Sequence, residues 1–263
     1  MSKLDLRSIE YIVSVGSDNK RLPSVPKDLF DRFSPEVLGL GDISVESVPV
    51  STIAAVFDLG GFTQFCSQGE PNLIIPDFMS GFVNWVFESL REETMESEKE
   101  GMIRLWHPLP ILVKFLGDGL LILWDTKGMN PRLQHNLILS LLMICYDYRE
   151  TFYGKMAQQV PDPPKTMRCG IAKGTVYSIG DKADYVGPCI NLASRLQKLE
   201  GISFAFSRKG FAPEKYWEEK GLSNWILRKV HIRGLSSNEL IYLLQEEYDV
   251  LDPVLKEQYL SPT

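Results

Sequence analysis

Two apolar segments joined by a short glycine-containing turn place the strongest constraint on the fold. Ile111–Leu116 and Leu120–Trp124 flank a Gly-Asp-Gly turn centred on Asp118. Short apolar runs joined by such a turn predict a β-hairpin. A third run, Thr52–Phe57, is β-branched and aromatic and predicts a buried central strand. We therefore expect a sheet built around this strand and this hairpin.

Helix patterns lie on both sides of the hairpin. Apolar residues recur at three- and four-residue spacings from about Pro76 to Leu90 and again over Leu133–Phe152. Two more strands are expected at Met167–Ala172 and Thr175–Ile179. This β-α-β-β-α-β order predicts an α+β ferredoxin-like sandwich. Additional elements are expected after it: a helix at Asn191–Leu199 and strands at Phe204–Ser207, Ile226–Ile232 and Leu240–Leu244.

The organisation along the chain predicts one main domain with extensions. Residues 1–47 form an N-terminal arm that contains the breaker-rich stretch Leu22–Lys27, residues 48–248 form the main domain, and residues 249–263 form a tail. The charge-rich stretch Glu92–Glu100 is expected to be a solvated connection.

Composition excludes several classes of protein. The 263 residues are 44% hydrophobic with a formal net charge of −6, which argues against a general binder of nucleic acids or anionic membranes. The longest apolar stretch, Leu137–Tyr146, is too short to span a bilayer, and the first residues lack the apolar core of a signal peptide. The four cysteines form no C-x-x-C pair, so we expect neither a zinc ribbon nor a disulfide framework, and a cytoplasmic location.

Two carboxylates are candidate metal ligands. Asp58 ends the predicted central strand and Asp118 lies at the tip of the predicted hairpin, so the two can meet at one edge of the sheet. Two adjacent carboxylates repel each other, and Mg²⁺ or Mn²⁺ relieves that repulsion because both ions prefer oxygen ligands. Taken alone, a Gly-Asp-Gly sequence is usually just an ordinary turn.

Two further segments have the composition of nucleotide-binding elements. The glycine-rich turn after Asp58 offers backbone N–H groups to phosphate oxygens, although two glycines also simply suit a tight turn. Asn191 and Arg195 are four residues apart and share one face of a predicted helix, from which an amide and a guanidinium can hold a sugar and a phosphate. A solvated helix face is the alternative. The residues of the turn are Gly60, Gly61, Phe62 and Thr63.

Three motifs in this order resemble the class III nucleotidyl cyclases. The motifs are Phe57-Asp-Leu-Gly-Gly-Phe-Thr63, Lys114-Phe-Leu-Gly-Asp118-Gly and Gly187-Pro-Cys-Ile-Asn-Leu-Ala-Ser-Arg195, supported by Cys169-Gly-Ile-Ala-Lys-Gly174. The resemblance covers roughly residues 48–246. Among members of this family, the chain is most similar to the stand-alone bacterial antiphage cyclases that make cyclic UMP or cyclic CMP.

The resemblance implies a role for each matching residue. Asp58 and Asp118 match the aspartates that bind two divalent ions, Mn²⁺ or Mg²⁺, and Leu59 matches a position that lends its backbone carbonyl to one ion. Asn191 matches the residue that orients the ribose, and Arg195 the one that stabilises charge on the reacting phosphate. Residues matching other substrate contacts are Lys114 and Asp184 at the base and Arg233 at the terminal phosphates.

The resemblance also implies an assembly. In this family the aspartates and the Asn/Arg helix of one site come from different subunits. A homodimer with two composite active sites is therefore expected, and a monomer is expected to be inactive.

The base-contacting residues restrict the substrate without identifying it. Lysine donates and aspartate accepts, a pair that adenine and uracil can both satisfy and that argues against guanine. Phe115 and Tyr185, next to the two contact positions, either narrow the pocket in favour of a pyrimidine or point into the core. The resemblance to antiphage enzymes favours UTP as substrate, with ATP as the alternative.

The sequence thus predicts a second-messenger synthase whose cyclic product acts on a separate cyclic-nucleotide-binding effector. An inactive regulatory module on the same fold is the competing hypothesis, because degenerate cyclase domains lose the residues that are present here. A diguanylate cyclase or polymerase-palm relative is disfavoured, because the Gly-Gly-acidic-acidic-Phe turn of diguanylate cyclases is absent.

Overall fold

The computed structural model describes residues 8–15, 21–33, 35–68, 71–181, 184–212, 224–234 and 238–262. Its strands are β1 (Ile12–Val15), β2 (Arg21–Ser24), β3 (Pro49–Gly60), β4 (Met95–Lys99), β5 (Met102–Leu105), β6 (Leu112–Phe115), β7 (Gly119–Asp125), β8 (Thr166–Ile179), β9 (Asp184–Val186), β10 (Phe204–Ser207), β11 (Trp225–Val230), β12 (Glu239–Leu244) and β13 (Tyr259–Leu260). Its α-helices are α1 (Lys27–Asp31), α2 (Phe62–Phe65), α3 (Pro71–Thr94), α4 (Pro131–Asp147), α5 (Tyr153–Met156), α6 (Pro188–Leu196), α7 (Gln245–Val250) and α8 (Pro253–Lys256).

The chain divides into two compact units. One comprises Met1–Val50 and Tyr177–Val186, and the other comprises Ser51–Val176 and Gly187–Thr263. In the first unit, β1 and β2 form an antiparallel hairpin, and β9 pairs with the end of β8. The backbone N–H of Val48 donates to the hydroxyl of Ser178 at 2.9 Å. Residues 1–7, 16–20 and 34 of the predicted arm lie outside the described residues, and the predicted boundary at residue 47 stays a prediction.

The larger unit contains the predicted sandwich. Four strands lie in the order β8-β3-β7-β6, in which β7 pairs antiparallel with both β3 and β6. With α3 and α4 between them, these strands follow the predicted β-α-β-β-α-β order, so the predicted fold class is confirmed. Beyond β8, the described sheet continues through β10, β12, β11 and β13.

The two faces of this sheet pack against different helices. The larger apolar core includes Phe57 and Leu59 of β3, Cys169 of β8, and buried side chains of α3 and α4. On the other face a second cluster contains Leu196 of α6 with side chains from β10 and β12. Because successive strand residues point to opposite faces, Asp58 and Arg168 lie on the face opposite α3 and α4.

The prediction of two strands around Lys173-Gly174 was wrong, because β8 is one continuous strand of 14 residues. The glycine serves close packing here instead of a turn. A Cβ atom at Gly174 would lie 3.0 Å from the Cβ of Cys189 in α6. Glu92–Glu100 is largely exposed, as predicted, but instead of an irregular connection it completes α3 and then forms β4, which pairs with β5.

Candidate active site

The two candidate metal-binding aspartates are neighbours across β3 and β7. Asp58 is the cross-strand partner of Gly119, the residue that follows Asp118. The backbone N–H of Leu59 donates to the backbone carbonyl oxygen of Asp118, with nitrogen and oxygen 3.2 Å apart. A Cβ atom at Gly119 would lie only 2.0 Å from the carbonyl oxygen of Phe57, so glycine is what allows the hairpin to approach β3 this closely. The predicted meeting of these two segments is therefore observed.

Arg168 is a site residue that the sequence reasoning missed. Its guanidinium forms an ion pair with the carboxylate of Asp58 on the neighbouring strand β3. The Asp58 side chain is only 13% exposed, so this cation compensates a largely desolvated charge. Side chains alternate along a strand, so a residue between the two apolar, core-facing residues Met167 and Cys169 must point to the opposite face. This alternation could have identified Arg168.

The thiol of Cys66 lies in the electrostatic field of Asp118. Burial and, to a smaller extent, the negative charge of Asp118 raise the pKa of this thiol. Cys66 directly follows α2, so the Asp118 carboxylate faces the segment that leaves β3. No pattern in the sequence indicated this approach.

The glycine-rich turn leads from β3 into α2. Gly61 adopts a left-handed backbone conformation, with φ of 85°, at the N-cap of this four-residue helix. Phe62 packs against the main core, whereas Thr63 is exposed. The first N–H groups of a helix lack partners within the helix, which is the property that the predicted phosphate contact requires.

Lys114 and Phe115 lie on opposite faces of the hairpin. Val113 and Phe115 line an apolar groove with Met79 and Phe87 of α3. Lys114 is exposed and is the cross-strand partner of Leu121, on the face that carries Asp58. Phe115 therefore does not adjoin Lys114 on that face, and this residue gives no reason for a narrowed base pocket.

The helix that carries Asn191 and Arg195 covers the same face of the sheet. A Cβ atom at Gly170 of β8 would lie 2.2 Å from the carbonyl oxygen of Ala193, so α6 lies directly on that strand. Asn191 and Arg195 are exposed while Leu196 is buried, as the helix pattern predicts. Asp58, Lys114, Arg168 and α6 thus share one face of one unit.

Arg233 directly precedes Gly234, the residue that packs against Arg195. Both arginine side chains are exposed. The guanidinium of Arg195 packs against Gly234, where a Cβ atom would lie 3.1 Å from one of its nitrogens. The turn after β11 therefore lies against Arg195, and the assignment of Arg233 to the terminal phosphates stays a prediction.

Asp184 belongs to the other compact unit. It begins β9, is half-buried, and accepts a hydrogen bond from the backbone N–H of Tyr185 at 2.9 Å. Its pairing with Lys114 at a base therefore stays a prediction.

The donor atoms fit a hard divalent cation. Asp58, Asp118 and the backbone carbonyl of Leu59 offer oxygen ligands only, which Mg²⁺ and Mn²⁺ prefer. The ion pair of Asp58 with Arg168 also shows that this carboxylate is compensated by positive charge. Among the described residues, no group of three or more His, Cys, Asp or Glu side chains could hold a metal ion. Any ion would therefore depend on two carboxylates and on backbone or substrate oxygens.

Comparisons with known proteins find similarity in structure and not in sequence. No family model and no curated protein matches the chain. The guanylyl cyclase Cya2 matches 76% of this chain and 94% of its own at 17% identity, with a TM-score of 0.53. A bacterial light-regulated adenylyl cyclase matches 88% of this chain at 15% identity, with a TM-score of 0.54, and the match spans 66% of that chain. The chain has the fold of a class III nucleotide cyclase catalytic domain.

None of the helices in the described residues is both long enough and apolar enough to cross a bilayer.

Proposed function

We propose that this protein is a metal-dependent nucleotidyl cyclase of the class III family. The observation that supports the proposal is the backbone contact between the segments of Asp58 and Asp118, where Asp58 lies on the sheet face that also carries Lys114 and the Asn191–Arg195 helix. The reaction is an in-line displacement on a nucleoside triphosphate. The ribose 3′-oxygen attacks the α-phosphorus, the bond to the bridging oxygen breaks, and a 3′,5′-cyclic monophosphate and pyrophosphate form.

The residues divide the work by their chemistry. Asp58, Asp118 and the carbonyl of Leu59 hold divalent ions, either Mn²⁺ or Mg²⁺. Such ions lower the pKa of the attacking hydroxyl and neutralise phosphate charge when bound. Asn191 orients the ribose through its amide. Arg195 and Arg233 offset charge on the phosphates.

The glycine-rich turn completes the phosphate environment. The turn formed by Gly60, Gly61, Phe62 and Thr63 offers backbone N–H groups to phosphate oxygens. No protein nucleophile takes part in this scheme.

The proposed active enzyme is a homodimer with two composite sites. The resemblance to class III cyclases supports this assembly, because in that family the aspartates and the Asn/Arg helix of one site come from different subunits. Asp58 and Asp118 of one copy would then face Asn191 and Arg195 of its twin.

UTP is the proposed substrate and ATP is the second candidate. The lysine–aspartate pair Lys114 and Asp184 complements O4 and N3–H of uracil, and the sequence motifs resemble antiphage pyrimidine cyclases. The same pair complements N1 and the amino group of adenine. Phe115 lines the groove beside α3, so its bulk is no argument against adenine, the larger of the two bases. ATP is therefore kept as the second candidate.

The proposed biological role is second-messenger synthesis in bacterial antiphage defence. The cyclic nucleotide would act in the cytoplasm on a separate cyclic-nucleotide-binding effector. Neither a nucleic acid nor a membrane is required as a partner.

Product analysis tests the proposal directly. The purified protein is incubated with Mn²⁺ and each of the four ribonucleoside triphosphates, and products are resolved by chromatography and mass spectrometry. Cyclic UMP that depends on Asp58 supports the full proposal. Cyclic AMP alone contradicts the base assignment and keeps the cyclase. No cyclic product from any triphosphate, by a dimeric folded protein, supports the inactive regulatory module instead.

A further inference from the structure

Arg168 forms an ion pair with Asp58, the carboxylate that we propose as a metal ligand. One terminal nitrogen of the Arg168 guanidinium contacts one carboxylate oxygen of Asp58. The Asp58 side chain is 13% exposed and the Arg168 side chain 31%. A carboxylate so little exposed to water requires a positive partner, and removing that partner is costly.

The arginine is held at this position by an incomplete set of hydrogen bonds. Its Nε atom is buried and has no hydrogen-bond partner among the described residues. A bidentate arginine–carboxylate pair would use two guanidinium nitrogens and be harder to separate. Arg168 therefore compensates the charge of Asp58 without forming the bidentate arrangement that would make the pair hard to separate.

We infer that Arg168 is the resident counter-ion of the metal site, compensating Asp58 before a metal binds and competing with the incoming divalent ion for that carboxylate. The inference rests on the proposed function only in assigning the metal to Asp58 and Asp118. It makes Arg168 a positioning residue for the metal site and does not depend on which nucleotide is the substrate.

Charge balance gives the expected consequences. Without metal, the two carboxylates and the guanidinium carry a net charge of about −1, so the site remains close to neutral. A neutral side chain at position 168 leaves two adjacent uncompensated carboxylates, which repel each other and destabilise the metal-free protein. The same change removes a cation that repels the incoming ion, so a divalent metal binds more tightly.

The test compares Mn²⁺ binding to the full-length wild-type protein and to Arg168→Gln in the absence of nucleotide. Free Mn²⁺ is followed by electron paramagnetic resonance. Arg149→Gln is the matched control, because Arg149 lines the same cavity of about 460 Å³ as Arg168 but pairs with Glu150. We expect Arg168→Gln to bind Mn²⁺ roughly tenfold more tightly than wild type, and Arg149→Gln to bind like wild type.

Thermal unfolding supplies a second readout that needs no catalysis. In a chelator, Arg168→Gln should melt below wild type, and saturating Mn²⁺ should close or reverse that gap. Equal or weaker Mn²⁺ binding by Arg168→Gln would overturn the inference. Suppose that the wild-type protein makes a cyclic product and binds Mn²⁺ in a manner that depends on Asp58. If Arg168→Gln then binds Mn²⁺ with unchanged affinity, the inference is refuted and the proposed function is not. Absence of Asp58-dependent Mn²⁺ binding refutes the proposed function as well.

A measurement on the wild-type protein covers the case in which Arg168→Gln does not fold. Arginine side chains labelled with ¹⁵N are observed by NMR while Mg²⁺ is added without nucleotide. One guanidinium signal, absent from Arg168→Lys, should shift as Asp58 exchanges its partner. An Arg168 signal that stays unchanged at saturating Mg²⁺ would overturn the inference.

Discussion

The backbone N–H of Leu59 donates to the carbonyl oxygen of Asp118, joining the end of β3 to the tip of the β6–β7 hairpin at 3.2 Å. This hydrogen bond fixes two carboxylate-bearing segments that are far apart in the chain. It makes the position of Asp118 depend on the pairing of β3 and β7, and so the proposed metal site depends on the central sheet.

Removing either carboxylate charge should abolish catalysis without unfolding the protein. We expect Asp58→Asn and Asp118→Asn to lower cyclic nucleotide formation by about 100-fold or more, because each removes a proposed metal ligand. Asp77→Asn, at an exposed position on α3, is the control and should keep wild-type turnover. Product formation is measured beside circular dichroism. Wild-type turnover by Asp58→Asn would contradict the metal assignment.

A side chain at residue 119 should destabilise the protein, because the hairpin lies too close to β3 to accommodate one. Gly119→Ala places a methyl group 2.0 Å from the carbonyl oxygen of Phe57, so the strands must separate. We expect a loss of about 1–3 kcal/mol in the free energy of unfolding, measured by urea denaturation. Gly154→Ala is the control, because nothing lies within 4 Å of a Cβ at that position in α5. Equal stability of the two variants would contradict the tight strand contact.

Composite sites predict that two inactive variants restore each other. Asp58→Asn and Arg195→Ala should each be inactive as homodimers. When they are mixed and allowed to exchange subunits, half of the dimers are mixed and each keeps one intact site, so activity should recover to about one quarter of wild type. Turnover is measured before and after exchange. Persistent inactivity in a mixture shown to contain mixed dimers would argue for sites within single copies.

The two neighbouring residues on β6 should have different effects on substrate use. Lys114 lies on the face of the proposed site, so Lys114→Ala should lower kcat/KM for the preferred triphosphate by roughly tenfold through loss of a charged hydrogen bond to the base. Phe115→Ala should leave the ratio of UTP to ATP turnover unchanged, because Phe115 lines the groove beside α3. A changed ratio in Phe115→Ala would place this ring at the base.

Glu247 should make stability depend on pH. Burial raises the pKa of this carboxyl, although Ser203 and the backbone N–H of Phe204 donate hydrogen bonds to it and partly oppose the shift. The folded protein therefore binds this proton at a higher pH than the unfolded chain does. The destabilisation from the buried charge is fully present above the folded pKa and is relieved as the pH falls through it.

Urea unfolding of wild type and Glu247→Gln at pH 7.5 and pH 5 measures this contribution. The free energy of unfolding of wild type relative to the variant should increase on acidification, since glutamine cannot take up the proton. Equal pH dependence in the two proteins would show that burial does not shift this group.

The sequence by itself determined the central strand, the hairpin, the two long helices and the sheet class, because those depend on local periodicity and turn chemistry. It also singled out Asp58 and Asp118, since each follows or joins an apolar run at a point where a polar side chain must leave the core. The prediction of a turn at Gly174 was wrong, because a glycine between two apolar runs suits a turn and equally suits a continuous strand on which a helix packs closely.

Only the tertiary structure decided which side chains share a face and which charges compensate each other. Arg168 is 110 residues from Asp58 in the chain, and their ion pair arises from the placement of β8 beside β3. Tertiary packing also decided that Phe115 lines the groove beside α3 and that Arg195 packs against Gly234. Such relationships depend on long-range strand and helix packing, which no local pattern encodes, and they set the electrostatics of the proposed site.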